Sequence, residues 1–104
     1  MSLLQPIRGT IPLQPTSAAA VAEATRRLCT ELLAHNRLRP GDVVAARFVG
    51  DAGMAVPPLD AARAVGWTGI PIFFTRSPAA SGRLEVEAHV RLVRRRRLKV
   101  LELS

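Results

Sequence analysis

The sequence has no tyrosine, one cysteine, two histidines and a single lysine, and aromatic residues make up only 4% of its 104 positions. Each scarcity closes off a class of function. Cys29 alone builds neither a disulfide framework nor a cysteine-based zinc site, and His35 and His89 add too little for a metal cluster. Cofactor chemistry therefore has no anchor, and the expected cofactor set is none. No apolar run approaches the ~18 residues that a membrane span needs, and residues 1–6 lack the charged-then-apolar layout of a secretion signal. The expectation is a cytoplasmic protein without a membrane partner.

Arginine is what the sequence has in excess. Fifteen basic side chains, fourteen of them arginine, stand against eight acidic ones for a net charge of +7, which favours anionic partners. With 48% apolar residues, the chain suffices for one α/β domain, 1–104, whose small core makes oligomerisation the expectation. Sites in such assemblies commonly lie between subunits, where one short chain alone builds little concavity.

Residues 3–13 carry Pro6, Gly9 and Pro12 among apolar neighbours and read as an irregular or edge strand bearing Arg8. From a cap at Thr16 or Ser17 to about Asn36, Val21, Ala24, Leu28 and Leu32 recur at helical steps with charges on the other side. That is one amphipathic helix. Pro40-Gly41-Asp42 breaks the chain before a buried strand over 43–49, ended by Gly50 and Gly53. Pro57-Pro58 opens a short helix over 59–65 that Gly66 closes. A strand near an edge, or one starting after Pro71, follows over 70–75, then a loop over 77–82. Over 84–93, Leu84, Val86, Ala88, Val90 and Leu92 alternate with Glu85, Glu87, His89 and Arg91, so one face is core and the other meets water or ligand. Residues 99–103 make a possible last strand. The fold class is a mixed five-stranded sheet with one long and one short helix, covered mainly on one side.

Several residues invite a functional and a structural reading side by side. Glu85 and Glu87 alternate with Arg83 and Arg91 and are expected to neutralise them rather than act as an acid pair. Cys29 and Trp67 fit packing, and Ser77 before Pro78 fits a turn better than a nucleophile, since no base accompanies it. The run Arg94-Arg95-Arg96-Arg97 would grip phosphates. Without interleaved aromatics or a recognition-helix motif, however, nucleic acid is not the expected partner.

The ordered set Ile7-Arg8-Gly9, the long helix to Asn36, Pro40-x-Asp42-Val43-Val44, Ala55-Val56-x-Pro58, Ala61-x-Arg63, Gly66-Trp67, Pro71 and Gly82-x-Leu84 resembles the monofunctional chorismate mutases of the trimeric α/β-barrel class. The likeness covers nearly the whole chain. It implies a pseudo-barrel homotrimer with clefts between subunits, in which chorismate rearranges to prephenate without cofactor or covalent intermediate. In that family a first-strand arginine, a hairpin-strand arginine near the ether oxygen, a glutamate after the third strand and an arginine of the short helix form the polar site. The resemblance carries the first of these onto Arg8 and the last onto Arg63. At the ether-oxygen position stands His89 and at the glutamate position Ser77, while Phe74 replaces a pocket cysteine. Arg91, two residues beyond His89 on the same strand face, has the reach to lean into the pocket.

These replacements, with the family's tyrosine-bearing tail shortened to the arginine run, imply an isomerase of weakened or altered activity on an anionic carboxylate, in specialised metabolism. Two other functions fit the same residues. One is an enzyme using His89 as general acid or base for dehydration, elimination or cyclisation; the other is a non-catalytic trimeric scaffold or regulator.

Overall fold

The computed structural model describes residues 2–104. In chain order they form β1 (Leu3–Pro12), α1 (Ala18–His35), a 3₁₀ turn at Pro40–Asp42, β2 (Val43–Asp51), α2 (Leu59–Ala64), β3 (Ile72–Ser77), a second turn at Pro78–Ala80, β4 (Arg83–Leu92) and β5 (Leu101–Glu102). The five strands make one sheet in the order β3-β2-β4-β1-β5. Strand β4 runs antiparallel to both β1 and β2, whereas β3 joins β2, and β5 joins β1, in parallel.

The alternation of β4 decides which face is which. All five of its apolar residues are buried while His89 and Arg91 are exposed. Helix α1 covers the apolar face with Val21, Leu28, Cys29, Leu32 and Leu33, and Ser17 caps it by accepting the Ala20 N–H. The other face carries no helix among the described residues. Strand β2 accordingly buries Val43, Ala46 and Phe48 but exposes Arg47, so the expectation of a fully buried strand is corrected to a one-sided one.

Strand β3 starts and ends two residues later than the expected 70–75, and β2 and β1 also differ from their sequence patterns. Gly50 does not end β2, which continues to Asp51. Its missing side chain instead makes room for Met54, whose sulfur a Cβ at that position would strike. Strand β1 is regular and lies inside the sheet rather than at its edge. Thr10 turns its carbonyl toward Leu103, so Pro6 and Pro12, at the same parity, lack an N–H only on the tail side and leave the pairing with β4 intact.

The C-terminal segment lies along that free side of β1. Of the expected strand over 99–103, only Leu101–Glu102 pair, beside Gly9 and Thr10. Two side-chain amides hold the preceding residues as a strand would. Gln5 donates to the Arg96 carbonyl at 2.9 Å and accepts its N–H at 3.0 Å. Asn36, buried at the end of α1, donates to the Lys99 carbonyl at 3.1 Å and accepts its N–H at 2.7 Å. The tail is thus an edge pinned at two points.

Asp51 closes the opposite end of the sheet, accepting the Gly82 N–H at 2.6 Å and the Gly53 N–H at 2.7 Å. The Gly82 bond first, and the Gly53 bond second, hold its carboxyl below the ordinary range. A depressed folded-state pKa contributes stability above the unfolded value that is lost as pH falls through the folded one. Asp51→Asn is therefore expected to lower the thermal midpoint at pH 7. The gap to the native chain should narrow below about pH 4, near the unfolded carboxylate pKa, in melts followed by circular dichroism. A gap constant down to pH 2 would show that the charge contributes nothing.

Candidate active site

Cross-strand register sorts the open face into rows. One row runs from Phe73 on β3 through Arg47 on β2 and Glu87 on β4 to Arg8 on β1. The next holds Thr75, Val49, Glu85, Thr10 and, on β5, Glu102. On the other side come Ala45, His89 and Pro6, and beyond them Arg91 opposite Leu4.

The first two rows border a cleft of about 330 Å³, with Val100 of the tail on its rim. Glu87 is its electrostatic centre. Its Oε2 accepts Arg8 Nε at 2.7 Å, and its Oε1 lies 3.5 Å from Arg47 Nη2. The Arg8 hydrogen bond holds the Glu87 carboxyl below the ordinary range against its partial desolvation, and the charges of Arg8, Arg47 and His89 add to the effect. The terminal nitrogens of Arg8 make no hydrogen bond among the described residues. A guanidinium held at Nε, with its Nη pair open, is arranged to grip a carboxylate. Glu85 is engaged from outside the cleft by Arg83 at 2.8 Å. The expected Glu87–Arg91 pairing is thus replaced by two cross-strand partners, while Glu85–Arg83 forms as expected.

Arg8, His89 and Arg91 share this face, with Arg8 lining the cleft and the other two exposed on the rows beside it. Three further expected site residues lie elsewhere in the chain. Phe74 stands level with Phe48 and turns its ring to the helix-covered side, under the guanidinium of Arg76 at 5.1 Å. Ser77 ends β3 and caps the turn after it by accepting the Ala79 N–H. Arg63 lies on α2, 3.5 Å from Asp60, beside a second hollow formed with Val21, Val56 and Leu59. One chain alone does not bring these three to Arg8.

Arg47, Glu87 and Glu102 were missed as site residues by sequence reasoning. The signal for Arg47 was present, since it is the one charge among the apolar residues 43–49. Glu87 and Glu102 depend on register, which the sequence does not print. Cys29, fully buried, has its thiol pushed up to about 12 by burial, so it packs rather than reacts.

No curated protein matches the chain. Among solved structures, a chorismate mutase from Clostridium thermocellum superposes with a TM-score of 0.83 over 93% of this chain and 92% of its own, at 23% identity. At that identity the likeness shows a shared fold. The sequence model of chorismate mutase type I matches residues 4–99, and the chain belongs to that family.

Proposed function

We propose that the protein is a cofactor-free isomerase of the chorismate mutase type, a cytoplasmic homotrimer acting on chorismate or a related cyclohexadiene carboxylate. Its rate is below that of a site with the full family set, which suits specialised metabolism. The observation that carries this reading is Arg8: mid-strand on the open face, held at Nε by Glu87 and open at both terminal nitrogens.

The rearrangement breaks a C–O bond as a C–C bond forms within one molecule, so no group on the protein has to give or take a proton. Catalysis consists of holding a dianion as a compact chair and stabilising the charge that grows on the ether oxygen. Arg8 takes a carboxylate. His89, on the next row of the same face, donates one hydrogen bond at the ether oxygen. An imidazole offers one donor there where a guanidinium offers a permanent charge and a fork of donors, which is the reason for the lower proposed rate. Arg91 reaches the same region from two residues further on, about 7 Å along the strand. Arg63, Phe74 and Ser77 complete the pocket when a second subunit packs its α2 and β3 edge over the open face. Supporting that assembly, the face leaves Phe73 and Leu4 exposed at 65% and 59%.

The test is turnover of chorismate, followed by its absorbance, together with binding of a bicyclic transition-state analogue. His89→Arg, which puts a fixed charge and a second donor at the ether oxygen, is expected to be at least tenfold faster than the native enzyme. If the native protein neither consumes chorismate nor binds the analogue, the mutase reading is wrong. One observation favours a second reading: the cleft sets three carboxylates, Glu85, Glu87 and Glu102, against two guanidiniums, Arg8 and Arg47. That balance suits acid–base chemistry by His89 on a less anionic substrate, in which case His89→Arg abolishes activity instead of raising it.

A further inference from the structure

The charge of the molecule is confined to one end. Of the fifteen basic side chains, six fall within residues 91–99, and two more, Arg37 and Arg39, follow α1. These segments are joined, since Asn36 binds both Arg96 and Lys99. Within residues 37–42 and 91–99, Asp42 is the one carboxylate side chain, and it accepts the Arg39 N–H. The other seven basic side chains are matched by seven acidic ones. The whole net charge of +7 therefore sits at this end, and the remainder is neutral.

The two regions also differ in pairing. Every ion pair among the described residues lies in the neutral part, and none involves residues 91–99. Arg91, Arg94, Arg95, Arg97 and Lys99 are exposed. Arg96 alone is committed, donating to the Asn36 carbonyl. Unpaired cations carry a far-reaching field, whereas paired ones cancel within a few ångströms.

This end adjoins the cleft. Lys99 borders a small hollow with Pro6 and Arg8, and Arg91 is two residues from His89 on the open face. The cleft itself offers an anion no net attraction, because its two guanidiniums face three carboxylates.

We infer that the exposed arginines of the pinned tail, Arg94, Arg95 and Arg97, form an electrostatic collector that concentrates small di- and polycarboxylate anions at the Arg8–His89 site. Capture and chemistry are thereby divided. Glu87 keeps Arg8 in place at the cost of the cleft's own pull, and the tail supplies the pull. This rests on the proposed function for its ligand, while the field itself stands independently. A collector of this kind acts on association more than on dissociation.

The experiment compares the native protein with R94Q/R95Q/R97Q, leaving Arg96 and its contacts intact. Amide relaxation by a carboxylate-bearing nitroxide, relative to a neutral one, reads the local potential residue by residue. The native chain is expected to show excess relaxation by the anionic probe at residues 7–9 and 88–90, and the variant to lose it. Association of the dianionic bicyclic analogue is expected to slow about tenfold at low salt with its dissociation rate unchanged. The difference should vanish near 1 M salt, where screening acts within ~3 Å. Equal nitroxide profiles, or equal association rates at low salt, overturn the collector. A native profile with the expected excess but no analogue binding overturns the proposed function and leaves the field in place.

Discussion

Arg8→Ala is expected to lower kcat/KM for chorismate by about 10²–10³, the usual cost of removing one preorganised donor from a site that stabilises developing charge. Both parameters should suffer. Losing the open Nη pair removes the carboxylate grip, which raises KM, and the substrate is then held less well as a chair, which lowers kcat. The substitution also unbalances the cleft, leaving Arg47 alone against Glu85, Glu87 and Glu102. Folding should hardly notice, because the Arg8 side chain is 66% exposed and surface ion pairs contribute less than about 1 kcal/mol. Arg8→Lys keeps the charge but loses the fork, and should fall between the two. Steady-state kinetics beside a thermal melt decides the matter. An Arg8→Ala protein that is folded and retains native kcat/KM would reduce Arg8 to an ordinary surface partner of Glu87.

What the sequence disclosed was whatever repeats within a single element. The alternation along β4 identified its buried and open faces, and hence the side on which His89 stands, because one face of that strand is covered and the other is not. The helical spacing of Val21, Ala24, Leu28 and Leu32 did the same for α1. Relations between strands were not legible. Glu87 meets Arg8 and Arg47 only because three strands bring them into one row, and a one-residue slip would send each to the other face. Phe74 shows the opposite risk. The family pattern assigned it to a pocket, yet parallel register with Phe48 turns it to the helix side of its own chain. The tail was legible only in part for a related reason: the expected last strand forms, but over Leu101–Glu102 alone. Gln5 and Asn36 supply with side chains the hydrogen bonds a longer β5 would have supplied with its backbone, and no periodicity records that.

Phe48→Ala is expected to cost about 3–5 kcal/mol, the usual price of a large aromatic removed from a core. Phe48 is fully buried in the middle of β2, and its ring lies 6.1 Å from that of Trp67 at an interplanar angle of 38°. Trp67 is itself buried with its indole N–H unpartnered among the described residues, so its contribution to this core is bulk and not a hydrogen bond. Loss of Phe48 leaves a void under Trp67 that β2, paired on both sides, has little freedom to close. Domains of this size have about 5–15 kcal/mol of stability in all, and each kcal/mol moves the melting point by roughly 4–8 °C. A drop of more than about 10 °C follows, measurable by differential scanning calorimetry at fixed protein concentration, since the proposed assembly would make the midpoint concentration-dependent. If Phe48→Ala melts within a few degrees of the native protein, the helix-covered face is not what holds the fold together. The stabilising contacts would then lie on the open face, over which the proposed assembly packs a second subunit, and the melting point of the native protein should fall steeply on dilution.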